Sequence, residues 1–129
     1  MASELRVNTL KDASGNNSVG MSTVAEGTAK SWTYIIGDGS PTVADSFNTA
    51  SLTDHATAQI RSNFTNNMNN DDFCFVTFVQ ENAFIAVAQE LTTTSGRIRT
   101  TAGVTSVTHT TSTQSDVDGR NHIVTGDLA

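Results

Sequence analysis

The sequence predicts an all-β fold: an antiparallel β-sandwich, jelly-roll-like, with an extended N-terminal arm. Three observations predict it. From residue 31 onward, strand-like runs alternate with turn clusters at the spacing of a sandwich or barrel. Thr (21), Ser (13) and Asn (11) dominate the 129 residues, and the β-branched Thr favours strands while tolerating a wet face. Residues 1–30 are polar and hold no aromatic residue, so they have too little apolar area to offset chain entropy alone. The chain therefore divides into an arm, 1–30, and a body, 31–129.

The arm has one short apolar alternation. Leu5 and Val7 fall on one face of an extended segment, Arg6 and Asn8 on the other, and Leu10 follows. Asp12-Ala13-Ser14-Gly15-Asn16-Asn17 is a dense turn signal. A second extended piece is expected over 19–24. Leu5, Val7, Leu10, Val19 and Val24 are the candidate anchoring residues, because a polar arm without a core of its own must bury its few apolar side chains on something else.

The body opens with Ser31-Trp32-Thr33-Tyr34-Ile35-Ile36 and turns at Gly37-Asp38-Gly39-Ser40-Pro41. Residues 42–49 form the second run, with Val43 and Phe47 as expected core contacts. Residues 57–64 alternate weakly, and the Asn-rich stretch 66–72 is a turn. Residues 73–79 are the most apolar run, with both faces apolar, which predicts a central strand covered on both sides and a buried Cys74. Residues 82–88 follow after two residues and read as its hairpin partner. Residues 97–101 alternate with Arg outward, 104–111 are Thr-rich, and 122–125 close the body. The six Phe residues are assigned mostly to the core. Trp32 and Tyr34 share one strand face, where they are either packing residues or a ligand face for sugar.

Composition excludes several classes. The net charge is −6 with only seven Lys and Arg, so the chain cannot neutralise many phosphates and is not expected to bind nucleic acid. No apolar run has the length of a membrane helix, and no membrane partner is expected. No leading basic and apolar stretch reads as a signal peptide, and Cys74 is the sole cysteine, so synthesis in a reducing cytoplasm is expected.

No constellation points to catalysis. His55, His109 and His122 lie far apart, none with a second ligand at metal spacing, and are expected at solvent-facing loops or strand ends. Asp116-Val117-Asp118-Gly119 matches half of a calcium loop, but the third ligand and the later Glu are out of register, so it reads as a turn. There is no Gly-x-Ser-x-Gly elbow and no phosphate loop. Glu81 and Glu90 read as surface residues at strand ends. No catalytic residue, metal or cofactor is expected.

Two stretches carry a resemblance. The first is Thr42-Val43-Ala44-Asp45-Ser46-Phe47-Asn48-Thr49-Ala50-Ser51-Leu52-Thr53-Asp54. The second is Asn63-Phe64-Thr65-Asn66-Asn67-Met68, followed by Phe73-Cys74. With Ala29-Lys30-Ser31-Trp32 before them and Gly126-Asp127 near the end, the chain resembles small β-rich tail-fibre-like proteins of tailed phages, many from cyanobacterial and marine phages. It departs from that pattern at Tyr34-Ile35-Ile36-Gly37 and at Asp54-His55-Ala56. The resemblance implies a structural role in the virion, with other virion proteins as partners, no catalytic residue and no cofactor. A homotrimer is expected, since neighbours would extend a thin core. Within that role a knob that decorates or cements the capsid is favoured by length, because a fibre needs a shaft. The alternative is a fibre tip that binds host receptor or surface glycan. The motifs also have a packing reading: Phe64 and Met68 flank a polar turn and Phe73 reopens the sheet, which anchors register across two strands.

Overall fold

The computed structural model describes residues 3–80, 85–87, 99–109 and 113–129, with positions 85–87 and 109 by their backbone alone. Strands β1 (Thr9–Lys11) and β2 (Ser18–Gly20) pair antiparallel around the expected turn, and a short helix α1 (Met21–Gly27) follows. Asp12 holds the turn together by accepting from Ser14 Oγ, Asn16 N and Asn17 Nδ2. These bonds, that from Ser14 foremost, pull its pKa below the usual carboxylate value.

The arm is thus not a single extended segment. Val19 lies in β2, but Val24 lies in α1, and the extended piece expected over 19–24 ends at Gly20. The reason is spacing: Met21 and Val24 stand three apart, which puts both on one side of a helix, where both are half-buried. The body begins at Ala29, two residues before the expected boundary.

The body comprises β3 (Ala29–Ile36), β4 (Thr42–Phe47), β5 (Thr49–Ala56), β6 (Gln59–Phe64), β7 (Cys74–Val79), β8 (Ile85–Val87), β9 (Arg99–Thr100), β10 (Gly103–His109) and β11 (Arg120–Thr125). Among the described residues one sheet runs β4-β3-β11-β7, and the other runs β5-β6-β10-β8 with β9 also on β10. All pairings are antiparallel, and the inner faces of the two sheets pack on each other as an all-β sandwich.

A single residue, Asn48, carries the chain from β4 in one sheet to β5 in the other, with φ of 58°. Asn tolerates this left-handed conformation better than most residues. Its amide donates to the carbonyls of Lys30 and Asn66, and its side-chain oxygen accepts from Asn66 N. Segments 42–54 and 63–68 therefore meet in space. The second, with Phe73 after it, supplies most of one apolar cluster of the core: Phe64, Met68 and Phe73 pack with Val104 and Val124, and Phe75 packs against them. The C-terminus closes over this cluster, with Asn69 N donating to Asp127 O and Ala129 N to Asn67 O.

Several expectations are corrected. Among the described residues β7 is an edge strand, and its residues Cys74, Val76 and Phe78 are exposed; sequence alternation cannot tell an apolar face covered by the same chain from one left open. β8 pairs with β10 in the opposite sheet, so it is not a hairpin partner of β7. Val43 and Phe47 are exposed, since the edge strand β4 turns Phe47 outward. The polar strand β5 was not expected as an element at all. His122 is fully buried, not solvent-facing. Residues 81–84, 88–98 and 110–112, with Phe84, Glu81, Glu90 and the first part of the 97–101 run, lie outside the described residues, as does the His109 side chain.

Candidate functional site

The four-stranded sheet has two unlike faces. Its inner face carries Ser31, Thr33 and Ile35 from β3 and Arg120, His122 and Val124 from β11, all buried. Its outer face carries the intervening residues, because side chains alternate along a strand. Register aligns the outer residues in rows. Phe47 pairs with Trp32, Trp32 with Ile123, and Ile123 with Val76, so four large apolar side chains cross all four strands in one line. They are 51%, 37%, 36% and 50% exposed in that order. The next row is Asp45, Tyr34, Asn121 and Phe78, with Phe78 also exposed, and Ile36 extends the patch along β3.

Sequence reasoning placed Trp32 and Tyr34 on one face, and the register does so too. The Tyr34 hydroxyl donates to Gln80 Oε1 at 3.0 Å, which ties β3 to the end of β7. What the sequence reading missed is that Phe47, Val76, Phe78 and Ile123 join them. The signal is present in 73–79, both of whose faces are apolar, but pairing partners some 40 to 90 residues away are invisible to a local pattern.

The inner face is held by polar contacts across the sandwich. Ser62 Oγ on β6 lies 2.8 Å from His122 Nδ1, and Ser106 Oγ on β10 lies 2.6 Å from Nε2. Arg120 Nη1 donates to Ala58 O at 3.1 Å and Ser106 Oγ at 3.2 Å, and Nη2 donates to Thr108 Oγ1 at 2.8 Å. Ser106 Oγ accepts from Arg120, which leaves its own proton for His122 Nε2. The imidazole proton then sits on Nδ1 and points to Ser62. Burial, and then the nearby Arg120 charge, lower the His122 pKa to about 3, so the ring is neutral at pH 7. Burial lowers that of Arg120 to about 10 against the opposing pull of Asp116 and Asp54, so it stays charged. The Phe75 ring meets His122 edge-on at 5.4 Å. A neutral imidazole between two hydroxyls resembles catalytic chemistry only on paper: with His122 1% exposed, Ser62 and Ser106 fully buried, no substrate reaches it.

The Asp116–Gly119 loop is a structural brace. Asp116 accepts from Ala58 N at 2.6 Å and Asp118 from Gly37 N at 2.8 Å, while Gly119 takes φ of +84°. Each carboxylate ties down a turn of another hairpin. Among the described residues no three His, Cys, Asp or Glu side chains group as a metal site.

The candidate anchoring residues are spread along the arm. Leu5 is 79% exposed, Val7 and Leu10 are also exposed, and Val19 and Val24 are half-buried. Leu10 pairs with Val19, and with Lys11, Asp12, Asn17 and Ser18 they line an open depression of about 280 Å³. The strands of this hairpin pair only with each other among the described residues. A two-stranded hairpin is marginal in water without further packing. Compared with known families, curated proteins and solved structures, the chain matches none.

Proposed function

We propose that this chain is a non-enzymatic structural protein of a phage particle: a surface knob that decorates or cements the capsid, anchored through its N-terminal segment. The observation that carries the reading is the arm. It presents Leu5 and Val7 to solvent on the segment leading into β1, and Leu10 on a hairpin too small to be stable by itself, as a segment that docks on another subunit would. Two further points support it. The stretches that resemble tail-fibre-like virion proteins act as a packing clasp around Asn48 and Phe64, in keeping with a structural role. The carboxylates and histidine that sequence motifs single out are engaged in bracing loops and the inner face.

Deleting residues 1–28, which stops short of β3, tests the anchor. The expected result is a folded body that no longer attaches to particles. A deletion variant that still decorates them would refute the arm as the anchor. Density for the protein in a cryo-EM map of the particle separates capsid from tail. A second reading, a fibre tip that binds host glycan, is favoured by Trp32, a partly exposed ring with Asn121 and Asp45 in the adjoining row. A glycan array without any ligand would remove it.

A further inference from the structure

We propose that the outer face of the β4-β3-β11-β7 sheet is the seat of a second copy of this chain, packed face to face about a two-fold axis parallel to the strands, a dimer in place of the trimer expected from the thin core. The argument starts from area. Side chains of this size expose roughly 450–500 Å² at Phe47, Trp32, Ile123, Val76, Phe78 and Ile36 together, given their fractional exposures and about 150–250 Å² per aromatic side chain. Two such faces cover about 1,000 Å² of apolar surface. Stable specific interfaces bury about 1,200–2,000 Å² in total, so the polar residues around the two faces need to add only a few hundred Å² (~200 or more).

Charge points the same way. The chain carries 13 acidic residues, yet its two central rows of outer-face residues hold one charge, Asp45, on the edge strand β4. Depletion of charge at the centre of a patch with aromatics is the compositional mark of an interface core. An anionic lipid surface would repel a chain of net charge −6. A single sugar ring would cover one aromatic and leave the rest of the row in water.

The pattern along the row is self-complementary. Its β4 and β3 half is aromatic, Phe47 and Trp32, and its β11 and β7 half is β-branched, Ile123 and Val76. A two-fold axis parallel to the strands, passing between β3 and β11, lays β4 over the partner copy's β7 and β3 over its β11. Phe47 then meets Val76 of the other copy, and Trp32 meets Ile123, so large sits on small twice over. In the next row Tyr34 falls opposite Asn121, whose amide can donate to the hydroxyl that itself donates to Gln80, and Asp45 on the edge strand falls opposite Phe78 at the rim of the contact. Sheets stacked in this way pack about 10 Å apart with nearly aligned strands. The both-faced apolar pattern of 73–79 then has its explanation: one face is covered by the chain's own sandwich and the other by the second copy.

Sedimentation equilibrium of the free, full-length protein tests the pairing without particles, so its outcome is separable from that of the virion reading. The expected mass is twice 13.6 kDa. Ile123→Glu should weaken association at least 100-fold, and Val76→Lys serves if that variant fails to fold; retained far-UV circular dichroism marks a folded body. Phe47→Lys and Val76→Glu should each give monomers. The Phe47→Lys/Val76→Glu double variant, which sets Lys against Glu twice across the axis, should restore the dimer. The two positions lie on opposite edges of one sheet, so rescue requires contact between copies. A wild type that stays at 13.6 kDa at 200 µM, a trimer, or a double variant that remains monomeric would overturn the proposal.

Discussion

The inner and outer faces of one sheet invert the usual distribution of polarity. On β3, Ser31 and Thr33 are buried while Trp32 lies partly in water; on β11, Arg120 and His122 are buried while Ile123 is exposed. The two faces teach different things. The inner face shows how a sandwich poor in large aliphatic residues is held in register, through directional bonds that couple β11 to β6 and β10. The outer face, apolar and open, shows where the chain still has surface to bury.

The inner face should dominate stability. His122→Ala removes the ring between two sheets and leaves the hydroxyls of Ser62 and Ser106 without it, at an expected cost of about 3–5 kcal/mol by urea unfolding. A loss under about 1 kcal/mol would mean that these bonds are decorative. Acid should act on the same site. The His122 pKa is about 3 in the folded protein against 6.5 in an unfolded chain, so between these values the unfolded state holds the extra proton. Stability from this group is complete above pH 6.5 and falls as pH drops toward 3, by on the order of 5 kcal/mol in all. His122→Leu should flatten that part of the pH profile, and an unchanged slope would place the titration elsewhere.

Adjacent residues on β3 offer a finer comparison, best made in the monomeric Ile123→Glu background. Thr33 Oγ1 lies 2.6 Å from Thr49 Oγ1 across the sandwich, and Thr33→Val should cost about 1–2 kcal/mol. Tyr34→Phe removes an exposed hydroxyl bond to Gln80 and should cost less than about 0.5 kcal/mol. Equal effects from the two would contradict the division of labour between the faces.

Much of the architecture was legible in the sequence. Period-2 runs and turn clusters located β3, β4, β6, β10 and β11 within a few residues, and Phe64, Met68 and Phe73 do anchor one cluster. Two things were not legible. β5, from Thr49 to Ala56, is too polar to show a hydrophobic period, and its place comes from pairing with β6. The burial of Arg120 and His122 depends on hydrogen-bond partners up to about sixty residues distant, which no local pattern reveals. The candidate site was half legible: Trp32 and Tyr34 marked the face, but its full extent needed strands from three other parts of the chain.

Trp32 is the chain's single tryptophan and stands in the middle of the apolar row, so its fluorescence reports directly on whether the outer face is covered. Iodide quenching of wild type and of Ile123→Glu at equal concentration is the decisive measurement. The expected result is a blue-shifted, weakly quenched emission in the wild type and a red-shifted, strongly quenched one in the variant. Identical emission and quenching in the two folded proteins would contradict the claim that this face is a surface built to be covered.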